Sequence, residues 1–395
     1  MPAFARRTLL QGSLAAAVTA AATLGTARPA AAASGMRASS SRPRRTPSYG
    51  PNATHFPDAT PWPGTAAATE LVAECSWADI AAKVAGVTPQ QVEAGVIVRV
   101  KPGTLPGNGS GSSSRAVLTG VGNPAWRRNV LIVPRDGFGT VTVTGGIRID
   151  QSTRLSLFGF VSPAAFVLTR CADIEMGWSR WSAGNITQGA ERIAFYELVL
   201  GFRQDPEDTA GVRPTSTYPM SDISRHGCVY GPSVKPTGSS AHCDTIQLEG
   251  TGTGPFGVFT SVDCIDYGSS NAVIMIHAAL QRAEFRHCAI LGGDLPWAVY
   301  PLRPGDYAGT PNAFSGSGSD VRLYDSFVVG AVGRTRFTVV ERTSLSYRPS
   351  ASQQPTQSGA WTVDPSLASV TRDQIFQFQA IDDYELPTLA ALWRW

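Results

Sequence analysis

One short pattern recurs along the 395-residue chain, and it constrains the fold more than any single motif. Two alternating apolar positions are followed by four or five mixed residues, another apolar position, often a glycine, and a second short strand-like run. Copies begin at 154 (RLSLFGFVSP), 173 (DIEMGWSRWS) and 192 (RIAFYELVLG), then at 258 (VFTSVDCIDYG), 283 (AEFRHCAILGG) and 321 (VRLYDSFVVG). Companion runs follow most copies: AAFVLTR, SAGNITQ, DTIQLEG, AVIMIHA, WAVYPLR and TRFTVVE. Compact units repeat every 19–26 residues, and larger gaps hold insertions. A unit this short cannot bury its own apolar face, so its neighbours must cover it. Alternating strands turn every second residue inward. A propeller blade needs four strands in about 40–45 residues, and no such period is present. A sandwich would show hairpin turns without a coil-like repeat. The expectation is an all-β chain wound as a parallel β-helix, with its 40 glycines and 28 prolines at the corners.

Glu70 to Ala85 (ELVAECSWADIAAKVA) spaces apolar residues three and four apart and predicts one short amphipathic helix. The apolar run from Gly95 to Val100 and a Pro102-Gly103 turn follow. Helix, strand and turn together resemble the N-terminal segment of right-handed parallel β-helices of the pectin-lyase-like superfamily. With the repeat, the resemblance covers about residues 70–345. It implies a right-handed solenoid with a short N-terminal capping helix, and it lies in pattern rather than in any invariant string.

Residues 1–33 join Arg6-Arg7 to a small-residue, weakly apolar run and end in Ala31-Ala32-Ala33. This resembles a twin-arginine export signal, which implies a secreted, extracytoplasmic protein that folds before export. No later stretch is apolar and long enough to span a bilayer. Residues 34–66 are Ser/Pro/Arg-rich and read as a linker. The solenoid is expected over 67–348. Residues 349–395 read as a linker and a packing segment that lies along the solenoid, covers its open end or joins a homotrimer; a monomer is the alternative. Of the 33 basic residues, seven arginines (6, 7, 28, 37, 42, 44 and 45) precede residue 51, with no acid among them. The mild basicity, net +3, therefore belongs to the leader and linker, and no nucleic-acid partner is expected. A 43% hydrophobic chain with nine tryptophans is not disordered.

An exported chain can form disulfides. Cys264 and Cys288 occupy one slot in consecutive copies, to be stacked as a bonded pair or as free thiols. Cys228 and Cys243 flank a loop that a bridge would staple. The cysteine spacing suits no metal site.

The longest interruption of the repeat is expected from Arg203 to Ala241, followed by the polar run His242-Cys243-Asp244-Thr245-Ile246-Gln247-Leu248-Glu249. With Ile246 and Leu248 inward, Thr245, Gln247 and Glu249 face out. The His-x-Asp-x-Ile-Gln string is similar to segments on the exposed sheet of carbohydrate-active β-helix proteins. Aligning AVIMIHA by its repeat slot sets Ile274 under Ile246 and Ile276 under Leu248, and brings His277 beside Glu249. One coil further, WAVYPLR adds Tyr300 and Arg303, with Trp297 and Tyr307 as flat faces for sugar rings. The expected catalytic set is Asp244, Glu249, His277 and Tyr300; the expected substrate contacts are His242, Gln247, Arg282, Trp297 and Arg303.

Two mechanisms suit such a face. A polysaccharide lyase must neutralise a uronate carboxylate, by Arg, Ca²⁺ or a hydrogen-bond donor, and remove the neighbouring proton with His or Tyr. A glycoside hydrolase needs two facing carboxylates, drawn here from Asp244, Glu249 and Asp294. The Gly-His-Gly string of polygalacturonases and the tight acidic clusters that hold Ca²⁺ in pectate lyases are absent. The leading expectation is β-elimination on an extracellular polysaccharide, with hydrolysis next. A non-catalytic β-helix that binds glycan or cell wall is the reading from another class.

Overall fold

The computed structural model describes residues 48–395 except 67, 112–113, 216, 219, 250–255, 278–279, 295–310, 319 and 378. The expected export signal and the run WAVYPLR lie outside the described residues. The alternation becomes a right-handed parallel β-helix in which successive coils pair in two long ladders, one sheet of 17 strands and a second of eight. One coil runs from Ala183–Thr187 on the second sheet to Glu191–Tyr196 and Val199–Leu200 on the first, then returns to the second at Ala210–Arg213. Inward residues stack in register from coil to coil, as in Ile193, Ile223, Phe259, Ala283 and Val321. No helix among the described residues is long and apolar enough to cross a membrane.

Each coil of the first sheet turns from its long strand to its short one through one left-handed residue. The series is Gly159, Trp178, Glu197, Gly227, Asp263, His287 and Asp325, all with φ between +45° and +84°. Most side chains resist this conformation, at a cost of about 1 kcal/mol or more each, so the stacked neighbours must hold it. Gly227 has a second reason to lack a side chain: a Cβ there would meet His55 Nδ1 at 2.4 Å.

Arg203–Ala241 is not an interruption. It contains a full coil, with strands Ala210–Arg213, Ser221–His226 and Val229–Tyr230 in register with their neighbours. Loops stretch the spacing while Ile223 and Cys228 keep their slots. At the other end TRFTVVE joins the first sheet rather than the second, because Phe337 pairs with Val321. Ser358–Val363 adds a further parallel strand, so coiling passes residue 348. The strand that follows Ala272–Ile276 on the second sheet is Asn312–Gly316. The helix expected from Glu70 begins only at Trp77, since Thr69–Ala73 pairs with Val96–Val100 and Ser76 caps the helix through Asp79 N.

Residues 48–62, inside the expected linker, are packed as a strap. Phe56 and Trp62 join Phe158 and Trp178, and His55 is buried. The C-terminal helix Leu386–Leu392 and Trp393 share the same apolar layer over the outward side of the short strands. Trp395 lies against Gly159, whose missing Cβ leaves the indole its place.

All six cysteines are free. Cys228, Cys264 and Cys288 hold one inward slot on three coils, and each thiol donates to the backbone carbonyl two residues before it, those of His226, Val262 and Arg286. The Cys228–Cys243 staple does not form, because Cys243 sits on the second sheet with its Sγ 3.4 Å from Asp205 O.

Candidate functional site on the second sheet

The second sheet turns an open polar face outward. Ile246 pairs with Ile274 and Leu248 with Ile276, the alignment read from the repeat. That register gives two outward rows across the strands. One is Asn185, Gly211, Gln247, Met275 and Ser315. The other continues from Thr187 to Arg213, then to Glu249, whose N–H bonds Val212 O, and to His277, whose N–H bonds Leu248 O. Gly211 leaves room for the Asn185 side chain, since a Cβ there would meet Asn185 Oδ1 at 2.4 Å.

Arg213 organises the face. Its Nη2 donates to Asp208 Oδ2 and to Gln247 Oε1, both at 2.7 Å. The Arg213 side chain remains 44% exposed. Beside it, Asp208 Oδ1 accepts the Asp244 N–H at 2.8 Å, and Asp244 Oδ1 accepts from Asn271 Nδ2 at 2.8 Å. Burial pushes the Asp244 carboxyl up to about 7, and the Asp208 charge adds to the rise. Burial raises Asp208 as well. No group of three or more His, Cys, Asp or Glu among the described residues could hold a metal ion. Ca²⁺ therefore has no such cluster to bind among the described residues.

The expected set divides. Gln247, Glu249 and His277 lie together on the outward face. Asp244 is only 1% exposed and secures the strand start instead of meeting solvent. Thr245, expected outward, is buried under the chain that leads to Ala272, with Oγ1 bonded to Tyr267 O and Ser269 Oγ. His242 is exposed just before the strand. Arg282 belongs to the first sheet, its Nε 3.7 Å from Glu284 Oε2, and does not serve this face. Asp294 is exposed in the turn after the first-sheet strand Ala289–Leu291. Trp297, Tyr300, Arg303 and Tyr307 lie outside the described residues. Asp208 and Arg213 were missed because they fall in the stretch read as an interruption; the VRP after Ala210-Gly211 was their one signal.

No family model matches the chain, and no curated protein matches it. Among solved structures it is similar to a crystal structure of the pectate lyase Pel9A, at 12% identity over 75% of this chain and 78% of that one, with a TM-score of 0.42. It is also similar to ORF18 of Geobacillus virus E2, at 10% identity over 74% of this chain and 61% of that one, with a TM-score of 0.33. These likenesses concern the fold, and neither assigns a role to any residue.

Proposed function

We propose that the chain is a secreted enzyme that cleaves a uronate-containing polysaccharide by β-elimination, with its site on the second sheet. The observation that carries this reading is the outward row Arg213, Glu249 and His277 at the ends of three successive strands. A lyase must first neutralise the carboxylate beside the proton to be removed. Arg213 offers guanidinium N–H groups for this, oriented by Asp208 and Gln247. The unprotonated His277 imidazole then removes the proton at the carbon bearing the carboxylate. The C–H electrons form the new C=C bond, the C4–O bond breaks, and the leaving oxygen takes a proton from water. Glu249 lies between the two in the same row.

The hydrolase reading loses ground because Asp244, one of its two carboxylates, is buried. The deciding experiment incubates the protein with uronate-containing and neutral polysaccharides. Unsaturated-uronate absorbance that disappears in His277→Ala supports elimination. New reducing ends without that absorbance mean hydrolysis. Neither, with retention on a glycan, means binding alone.

A further inference from the structure

We infer that the first sheet carries a second, non-catalytic groove that binds an extended neutral glycan running along the solenoid axis. The groove, of about 330 Å³, crosses the outward face of five successive strands from Thr153–Phe158 to Phe256–Val262. Its floor is made of small residues in one register row, Ala194, Ser224 and Thr260. One wall is a ladder of alternating charge, Arg154, Asp173, Arg192 and Asp222. All four are left-handed, with φ of 52–55°. Two residues beyond the floor row, Tyr196 and His226 stack at 5.0 Å with an interplanar angle of 14°. Thr60 of the strap bonds Ser156 and Glu175, the latter a lining residue of the groove.

Three features point to the ligand. Three members of the ladder pair with one another: Arg192 grips Asp173 through Nε at 2.8 Å and Nη2 at 2.9 Å, and Arg154 Nη2 lies 3.5 Å from the same carboxylate. A polyanion would have to break these pairs, and the ladder has no net charge to attract one. By contrast, the hydroxyls of Ser224 and Thr260 and the exposed carboxylate of Asp222 have no side-chain partner among the described residues. They are free to bond hydroxyl groups. Arg154 Nε and Asn129 Oδ1, on the same walls, are also without hydrogen-bond partners. Finally, the coils repeat about every 4.8 Å, close to the length of one pyranose, whereas an extended peptide advances about 3.3 Å per residue. Strained arginines at Arg154 and Arg192 fit a surface kept for a purpose better than an ordinary corner, where glycine or asparagine is at ease.

The test is electrophoresis of the full chain in native gels containing glucomannan, hydroxyethyl cellulose or laminarin, with polygalacturonate as the acidic arm. The expected result is retardation in at least one neutral gel. That retardation falls about tenfold or more in apparent affinity in Ser224→Trp, which fills the floor from the solvent side, and persists in Arg213→Ala. Thr260→Trp is the second plug, should Ser224→Trp misfold by circular dichroism. Retardation confined to polygalacturonate, none in any gel, undiminished retardation in a folded plug variant, or loss in Arg213→Ala would each overturn the inference.

Discussion

His55 Nδ1 lies 2.9 Å from Glu197 Oε1, and this buried contact fastens the N-terminal strap to the solenoid. The other ring nitrogen lies 2.8 Å from Asp263 Oδ2. Glu197 also accepts the N–H groups of Ala53, Thr54 and His55 and the indole N–H of Trp393. One left-handed corner residue thus gathers both ends of the described chain.

That arrangement makes stability fall as the pH turns alkaline. Burial alone would lower the His55 pKa, but the hydrogen bonds to Asp263 and Glu197 raise it from 6.5 to about 9. Because the folded value lies above the unfolded one, the stabilisation is complete below about pH 6.5 and is lost as pH rises through about 9. The loss should be on the order of 3 kcal/mol. Thermal unfolding from pH 6 to 10 should show this fall in the wild type. His55→Gln, less stable at pH 6, should show a much flatter profile. Parallel profiles for the two proteins would remove His55 as the cause.

Gly227→Ala should free the same strap. The new Cβ meets the His55 ring, and the alanine must hold a φ of +60°. Limited proteolysis should cut within 48–62 much faster than in the wild type, while the solenoid core resists.

Inside the coil, Arg225 fills an inward slot between Phe195 and Ser261. It pairs with Asp266 through two 2.8 Å contacts and lies over the Tyr230 ring at 4.4 Å. Arg225→Met strands a buried carboxylate and should cost about 3–5 kcal/mol. Adding Asp266→Asn should recover part of it, as read from urea unfolding of the single and double variants.

These cases divide what was legible in the sequence from what was not. The Ile246–Ile274 and Leu248–Ile276 register could be read because period-two alternation leaves one inward solution. The coil holding Ile223 and Cys228 was hidden by long loops on either side, and Arg213 and Asp208 were hidden with it. Nothing local marks Arg225 as inward, since its warrant is Asp266, on the next coil. The strap is polar and proline-rich, and its anchor, Glu197, lies 142 residues away from His55. Sequence pattern captures what repeats; contacts made once between distant segments leave no period to find.

Free cysteines are also open to test. Native alkylation should label half-buried Cys75 first and spare the five buried thiols, and all six should react after unfolding without reductant. Mass spectrometry that finds fewer than six adducts would reveal a disulfide.

Asp244→Asn separates position from chemistry. With its carboxyl raised from 3.8 to about 7 by burial and by Asp208, Asp244 binds its proton more tightly in the folded protein. Its contribution is therefore present below about pH 3.8 and lost as pH rises through about 7. At pH 8 the wild type bears an unfavourable buried charge that asparagine lacks, so Asp244→Asn should unfold at a higher temperature there, with little difference at pH 4. An amide can still accept from Asn271, so the strand start should keep its shape and turnover should stay within about tenfold of the wild type. His277→Ala should instead lose two or more orders of magnitude, roughly the contribution of a general base. If Asp244→Asn abolished turnover while the fold stayed intact, the buried carboxyl would be the working acid, and the row of Arg213, Glu249 and His277 would serve only to hold the chain.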